Sequence, residues 1–238
     1  MFNSEFERQL AASSVPLRRI NDHLLPSGMA SGCLTDYRGR RMLLTAAHGV
    51  RDGKRWGVEV KWIPGKGTQI YGLGPMSFLL GWTPEKGELE IDFSFVTVPN
   101  DLQPYFQEIE APGRVLTEVP LTVHEIAFDL LPDKNLTYGF CGNVLPQIEK
   151  HPGVTFFACE RRIYSGLSYD RSVGGFHVFR LPMAHPGHEH FQGCSGAPVL
   201  DQTGRVIGLV CHGDKEANEI WAISVQKYRA ALDTELET

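Results

Sequence analysis

The sequence predicts an all-β protein. Short segments rich in β-branched and aromatic residues follow one another along the chain, and turn signals separate them, as in sandwiches and barrels. Residues 37–40 (Tyr-Arg-Gly-Arg) and 201–204 (Asp-Gln-Thr-Gly) are typical hairpin turns. Convincing helical patterns are confined to the two ends of the chain, at residues 5–12 and 225–236.

The predicted strands fall into two groups. The first group spans residues 15–20, 28–36, 41–45, 57–63, 69–72, 77–82 and 91–98. The second group spans residues 121–128, 137–141, 154–164, 176–181, 197–201, 205–212 and 219–224. Between the two groups, residues 100–120 are rich in proline and acidic residues and show no clear periodicity, so they are the predicted linker.

Bulk composition narrows the function classes. The chain has 238 residues, enough for one or two compact domains. Its net charge of −5 gives no general attraction to nucleic acid or to anionic membranes. No apolar stretch reaches the roughly 20 residues that a membrane-spanning helix needs. We therefore expect neither nucleic acid nor a membrane as a partner.

The cysteines and the N-terminus indicate a cytoplasmic protein. The five cysteines are an odd number, and no two form a Cys-x-x-Cys pair. The first eight residues are acidic and lack the apolar core of a secretory signal. This cysteine pattern indicates reduced thiols rather than a disulfide framework, and thiols are kept reduced in the cytoplasm.

Residues 191–198, Phe-Gln-Gly-Cys-Ser-Gly-Ala-Pro, contain the candidate nucleophile, Ser195. A serine hydroxyl is a poor nucleophile unless a base and a preset backbone support it. Gly193 and Gly196 permit a sharp turn and a close approach of the backbone to a substrate. The amides of Gly193 and Ser195 can then point together at a developing oxyanion. A glycine-rich turn without a chemical role is the alternative interpretation.

Two further stretches supply a base and an acid. An apolar run ends in Thr-Ala-Ala followed by His48, so a strand end delivers this imidazole to a surface. Asp92 stands at the head of an apolar strand, where a partly buried carboxylate needs a partner such as an imidazole N–H. Glu88, Glu90 and Asp101 are weaker candidates for the same role, because they lie outside the apolar run.

Three motifs in this order resemble the chymotrypsin-like (trypsin-like) serine peptidase family. They are Thr-Ala-Ala-His at residues 45–48, Asp-Phe-Ser-Phe-Val at 92–96 and Gly-Cys-Ser-Gly-Ala-Pro at 193–198. Without a disulfide framework, the chain is more similar to the bacterial and viral members of the family.

The resemblance implies a fold and a domain division. The fold is all-β, with two six-stranded antiparallel β-barrels, a short N-terminal helix outside the first barrel and a closing C-terminal helix. Residues 1–110 would form the helix and the first barrel, which carries His48 and Asp92. Residues 111–238 would form the second barrel, which carries the nucleophile loop and the C-terminal helix.

The resemblance also implies a serine endopeptidase that hydrolyses peptide bonds through an acyl-enzyme intermediate. Ser195 would be the nucleophile, His48 the general base and Asp92 the acid that orients the imidazole. The amides of Gly193 and Ser195 would form the oxyanion hole. The expected partner is a polypeptide substrate, and neither a cofactor nor a metal is expected.

Two departures from the family pattern concern sulfur. Digestive-type members carry Asp directly before the nucleophile, where it pairs with the N-terminus freed by zymogen cleavage, whereas this chain has Cys194. We therefore expect a protein that becomes active without N-terminal trimming. The serine that usually bonds the catalytic acid is replaced by Cys211, whose thiol is a weaker donor.

The resemblance also places a primary specificity pocket. Its predicted lining residues are Glu189, His190, Gln192, Val210, His212 and Gly213. A carboxylate of Glu189 near the pocket floor would favour a Lys or Arg side chain of the substrate. Alternatively, His190 and His212 would receive an acidic side chain.

The segment His-Pro-Gly-His-Glu-His permits two interpretations. His185, His188 and His190 have the side chains of a zinc site. Pro186 and Gly187 instead make the segment a loop, and no His-Glu-x-x-His helix or cysteine pair accompanies it. A polar loop beside the site is the second interpretation.

Two other functions stay open. The first is a non-catalytic version of the fold that only binds a ligand. The second is a latent peptidase. In the latent form, a regulatory protein partner would order the oxyanion loop.

Overall fold

The computed structural model describes residues 4–23, 25–64, 66–85, 87–109, 116–151 and 154–237. Helix α1 (Glu5–Ser13) opens the chain, and the Ser4 hydroxyl caps it by accepting a hydrogen bond from the Glu7 amide. None of the helices in these residues is long and apolar enough to cross a membrane.

The first half of the chain forms one antiparallel sheet. Its strands are β1 (Val15–Ile20), β2 (Pro26–Tyr37), β3 (Arg40–Thr45), β4 (Arg55–Ile63), β5 (Gly67–Gly72), β6 (Ser77–Thr83) and β7 (Gly87–Thr97), with the single-turn helix α2 (Ala47–Val50) after β3. Their order across the sheet is β5-β4-β1-β2-β3-β7-β6. Alternate residues of the central strands, such as Leu17, Leu34 and Leu43, are buried in its core.

This sheet corrects one detail of the predicted architecture. It has seven strands, one for each predicted segment, where the resemblance implies six, and within the described residues its edge strands β5 and β6 are not hydrogen-bonded to each other. Strand β7 pairs with β3 over residues 94–97 and also with β6 along most of its length. The β6–β7 hairpin therefore extends the sheet beyond β3.

The second half forms the closed six-stranded barrel that was predicted. Its strands are β10 (Thr137–His151), β11 (Val154–Val173), β12 (Phe176–Arg180), β13 (Pro198–Asp201), β14 (Val206–Asp214) and β15 (Glu219–Ser224). They close in the order β10-β11-β12-β15-β14-β13. After β15, a 3-10 turn (Val225–Tyr228) leads into helix α3 (Arg229–Glu237), where the sequence predicts a single helix.

The connection between the halves differs from the prediction. The predicted linker contains a hairpin of β8 (Tyr105–Ile109) and β9 (Leu116–Pro120). The expected strand at 121–128 is an extended strap with one bridge, between Thr35 and His124. Its apolar residues reflect packing into the core and not pairing in a ladder. The predicted domain boundary, between residues 110 and 111, lies outside the described residues and stays a prediction.

One hydrophobic core joins the two halves. Phe93 of β7 stacks on Tyr228 with ring centroids 4.8 Å apart, in a cluster that also holds Leu10 of α1. Helix α1 lies outside the first sheet as predicted, where Ala11 joins that sheet's core, and it also packs on β10 and β11. Gly139 makes room for it, because a Cβ there would lie 2.5 Å from Leu10 Cδ1.

Candidate active site

The imidazole and the carboxylate come from neighbouring strands of the first sheet. Strand β3 ends at Thr45, which pairs with Ser94 of β7, so α2 and the middle of β7 are adjacent. His48 Nδ1 lies 2.8 Å from Asp92 Oδ2, and the His48 backbone N–H donates to Asp92 Oδ1 at 2.7 Å. The carboxylate therefore fixes both the ring and the backbone of the histidine.

The hydroxyl comes from the second half. Ser195 Oγ lies 2.8 Å from His48 Nε2, so the three predicted side chains form one hydrogen-bonded series. The imidazole is about half exposed (49%), while the Asp92 side chain is mostly covered (22%). The series therefore runs from the protein interior to an accessible hydroxyl.

The turn before Ser195 has the geometry that two free amides require. Phe191 O accepts a hydrogen bond from Cys194 N at 2.9 Å, and Gly193 at the third position has φ of +100°, as in a type II turn. Among the described residues, neither the Gly193 nor the Ser195 backbone N–H donates to another group. A Cβ at Gly193 would lie 2.3 Å from Asn143 O, so only glycine fits.

The nucleophile loop is tied to the first sheet by Ser31 of β2. The Ser31 N–H donates to Ser195 O at 3.0 Å, and its hydroxyl donates to Gly193 O at 2.8 Å. The Ser31 carbonyl accepts a hydrogen bond from the Thr45 hydroxyl at 2.7 Å. Ser31 therefore sets the position of the loop relative to the strand that leads to the histidine.

Asp92 stays ionised because its hydrogen bonds outweigh its burial. Burial alone raises the pKa of a carboxyl group, but donors from the His48 ring, the Cys211 thiol and the His48 amide lower the pKa of Asp92 to about 2. The Cys211 Sγ lies 2.8 Å from Asp92 Oδ2. Burial raises the pKa of this thiol, and the Asp92 charge raises it further, so the sulfur keeps its proton and donates.

The neighbouring thiol of Cys194 is placed for packing. It is fully buried against Gly142, and burial raises its pKa strongly. A thiol that is neither ionised nor exposed is not a nucleophile. Because the protonated thiol carries no charge, Cys194 cannot form the ion pair that an Asp at this place forms in digestive-type members.

The rival acids lie elsewhere. Glu88 and Asp101 are exposed, and Glu90 forms an ion pair with Arg51 at the surface. Asp92 is the acid that contacts the imidazole.

A cavity of about 520 Å³ opens beside the Ser195 hydroxyl. Its lining includes the hydrogen-bonded triad, and its other walls are mainly apolar, from Met29, Ala30, Phe191, Val210 and Ile220. Gln192, His212 and Gly213 also line it, together with His188. The cavity therefore offers histidine nitrogens and apolar surface to a substrate side chain.

Two of the predicted pocket residues do not line this cavity. Glu189 sits on a 3-10 turn with 64% of its side chain exposed. The His190 ring contacts Arg162 and not the cavity. These two residues were predicted to line the pocket, but the 3-10 turn directs both of them outward and brings His188 inward. Glu189 therefore supplies no carboxylate to this cavity and gives no support for a preference for a Lys or Arg side chain.

The three loop histidines do not gather around one point. His185 is buried against Phe191, with ring centroids 4.7 Å apart, whereas His190 contacts Arg162. In the described part of the chain, the group whose ligand atoms come close enough for one ion is His48, Asp92 and Cys211. The arrangement therefore supports the polar-loop interpretation over the zinc site.

Sequence reasoning missed Ser31 and Met29. Ser31 lies in an ordinary strand sequence, Met-Ala-Ser-Gly-Cys, and no motif there predicts a contact with residues 193 and 195. Met29 gives no signal either, although its side chain approaches Gly193 and lines the cavity. Both act through contacts more than 150 residues away in sequence, which local pattern does not encode.

Comparison with known proteins rests on structure alone. No protein-family model and no curated protein sequence matches the chain. A serine endoprotease from Yersinia pestis is 14% identical, with coverage of 98% of this chain and 67% of that one and a TM-score of 0.56. HL collagenase is 14% identical (97% and 95% covered, TM-score 0.56), and GrC is 11% identical (99% and 97% covered, TM-score 0.60). At these identities the likeness concerns the fold, and the chain has the chymotrypsin-like fold that its motifs predict.

Proposed function

We propose that the protein is a serine endopeptidase that cleaves polypeptides through an acyl-enzyme intermediate. The observation that carries this proposal is the hydrogen-bonded series from Asp92 through His48 to Ser195, at the wall of an open cavity. The names of two similar structures, a serine endoprotease and a collagenase, support the same class of reaction.

The reaction follows from the positions of the groups. Ser195 Oγ attacks the carbonyl carbon of the substrate while His48 Nε2 takes the hydroxyl proton. Asp92 stabilises the imidazolium that forms. The amides of Gly193 and Ser195 bind the oxyanion of the tetrahedral intermediate. His48 then gives its proton to the leaving amine, and a water molecule hydrolyses the acyl-enzyme by the same steps in reverse.

The geometry of the oxyanion turn supports an active form over a latent or purely binding one. The positive φ of Gly193 and the two unengaged amides are what the reaction needs before substrate arrives. A regulatory protein partner remains compatible with the proposal, but the turn does not require one.

A fluorophosphonate probe tests the proposal, because it reacts with a serine activated by a nearby base. We expect the wild type to be labelled without any added partner and the Ser195→Ala variant not to be labelled. Labelling that depends on an added protein would indicate latency. A folded wild-type protein that is never labelled would favour the binding function.

We also propose that the protein acts in the cytoplasm. All five cysteines are free, and Cys33, Cys141, Cys194 and Cys211 are buried. Such a set suits a reducing compartment. Alkylation of the protein denatured directly from cells, without reductant, should modify all five thiols, and protection of any pair would contradict this location.

A further inference from the structure

A cleft leads away from the candidate active site along the first sheet. The cavity that holds Ser195 shares Met29, Gly49 and Gln192 with a second cavity of about 270 Å³. Trp56 lines this second cavity and also two more, of about 440 and 400 Å³. We call these three adjoining cavities the lateral cleft.

The lateral cleft is positively charged. Four basic side chains line its cavities: Arg19, Arg51, Lys54 and Arg55. Among the described residues, no Asp or Glu lines any of the three cavities, although Asp52 lies next to them, where it forms an ion pair with Arg19 and accepts a hydrogen bond from Trp56 Nε1. The lateral cleft is therefore locally basic, although the whole chain has a net charge of −5.

Two of the four cations already have acidic partners, Arg19 with Asp52 and Arg51 with Glu90, and the other two are open to a ligand. In the described residues, Lys54 and Arg55 form no ion pair, and both are exposed. Arg51 pairs with Glu90 through Nη1, but its Nη2 is buried and has no hydrogen-bond partner in the described part of the chain. The Arg51 guanidinium lies over the Phe78 ring, so Lys54 and Arg55 are the cations that a ligand reaches first.

We propose that the lateral cleft binds acidic residues of the substrate on the leaving-group side of the scissile bond. This inference rests on the proposed peptidase function. His48 protonates the leaving amine, and its neighbour Gly49 lines both the Ser195 cavity and the lateral cleft. The departing part of the substrate therefore lies over Gly49, and its carboxylates meet the basic side chains beyond.

A polypeptide fits the lateral cleft better than nucleic acid does. The cleft shares three lining residues with the cavity of Ser195, so one extended chain is able to span both. Apolar side chains, including Trp56, Leu73 and Phe78, lie among the cations and offer surface to the side chains of a peptide. Acidic side chains separated by apolar ones match this lining.

Binding is measured first, with the catalytically blocked Ser195→Ala protein. The probes are fluorescein-labelled peptides of alternating Glu and Ala, Gln and Ala, or Lys and Ala, followed by fluorescence anisotropy. We expect the Glu peptide to bind about tenfold more tightly than the Gln peptide at low salt. Each exposed ion pair between a Glu side chain and the cleft contributes a small part of this binding free energy. The difference should shrink as salt is added.

Charge reversal locates the site. In the Ser195→Ala background, the double variant Lys54→Glu/Arg55→Glu should lose the preference for the Glu peptide and gain one for the Lys peptide. The matched control Arg40→Glu/Lys134→Glu changes the net charge equally at exposed positions outside the lateral cleft. It should keep the original preference. Equal effects of the two double variants would overturn the proposal.

The outcomes separate this inference from the peptidase function. A folded wild type that the fluorophosphonate never labels, with or without an added partner, refutes the peptidase, while the comparison of peptide affinities still tests the cleft. A labelled wild type with equal affinity for the Glu and Gln peptides refutes the cleft alone. Tighter binding of a single-stranded oligonucleotide than of the Glu peptide, weakened by the Lys54→Glu/Arg55→Glu change, would assign the cleft to nucleic acid and also overturn it.

Discussion

The two halves hold their parts of the candidate site in different ways. The first half is an open seven-stranded sheet in which hydrogen bonds between adjacent strands place His48 beside Asp92. The second half is a closed barrel, and Ser195 projects from a loop that precedes its strand β13. The base and the acid are thus positioned within one sheet, whereas the nucleophile is positioned between the halves.

This difference shows where the site is vulnerable. The contact between His48 and Asp92 survives as long as β3 and β7 stay paired. The contact between His48 and Ser195 depends on how the halves meet, through Ser31 and through the bond from Cys211 to Asp92. Changes within a half and changes between the halves should therefore have separable effects.

The largest expected effect comes from breaking the pair within the first half. In Asp92→Asn, the side-chain oxygen keeps the bond from the His48 amide, and the new NH₂ group faces His48 Nδ1. The ring must then carry its proton on Nε2, where it cannot accept the serine proton. We expect kcat to fall about 10⁴-fold, as in the general Ser-His-Asp template, with the unfolding midpoint little changed.

The control for this variant is Glu88→Gln. It removes an exposed charge from the same strand and should leave kcat unchanged. An Asp92→Asn enzyme with more than a tenth of wild-type activity would contradict the role of the acid.

The second effect comes from forcing the halves apart. Gly196 has φ of +88°, and a Cβ there would lie 2.1 Å from Thr45 Oγ1 and 2.2 Å from Ser31 O. Backbone strain and the clash with the first sheet together should lower the free energy of unfolding by about 4 kcal/mol in Gly196→Ala. Urea unfolding measures this change.

Gly39→Ala is the matched control. Gly39 has φ of +80°, but no atom lies within 4 Å of a Cβ there. Strain alone should cost about 1 kcal/mol. Equal losses in the two variants would mean that the contact between the halves is not tight.

The third effect tests the strap that crosses from the second half to the first. His124 is buried, and burial lowers its pKa to about 4, although a hydrogen bond with Ser13 O opposes this. Below the ordinary pKa of 6.5 the unfolded chain binds a proton that the folded chain does not, so stability falls as the pH decreases toward 4.

His124→Gln should remove this pH dependence. We expect the wild type to lose about 2 kcal/mol more than the variant between pH 7 and pH 5, as measured by urea unfolding. His23→Gln, at an exposed position, should behave like the wild type. Parallel pH profiles for the wild type and His124→Gln would show that His124 is not held neutral.

The smallest effect concerns the thiol that links the halves at Asp92. Cys211→Ser keeps a donor to Asp92 Oδ2 and should leave kcat/KM within about threefold of wild type. Cys211→Ala removes the donor and should lower kcat/KM about tenfold, because one hydrogen bond to a charged group is lost. A Cys211→Ser enzyme as poor as Cys211→Ala would mean that the sulfur packs but does not donate.

Much of the fold was predictable because its signals are local. The strands β1 and β15 have the predicted bounds, and helix α1 extends one residue past its prediction, since turn residues and an N-cap mark these ends. The strap at residues 121–128 was not predictable from sequence. An apolar segment has the same pattern whether its backbone pairs in a sheet or only its side chains pack into the core. The seven strands of the first half were predicted as segments, but the pairing of β7 with both β3 and β6 depends on tertiary structure.

The sequence by itself determined which residue types take part in the site. The motifs around His48, Asp92 and Ser195 pick out these side chains, because each motif needs only a strand end or a glycine-rich turn. Tertiary structure decided the rest: the unengaged amides of Gly193 and Ser195, the contact of the Cys211 thiol with Asp92, the outward position of Glu189 and the basic lateral cleft. These features depend on distances between segments remote in the chain, and such distances are fixed only when the two halves pack together.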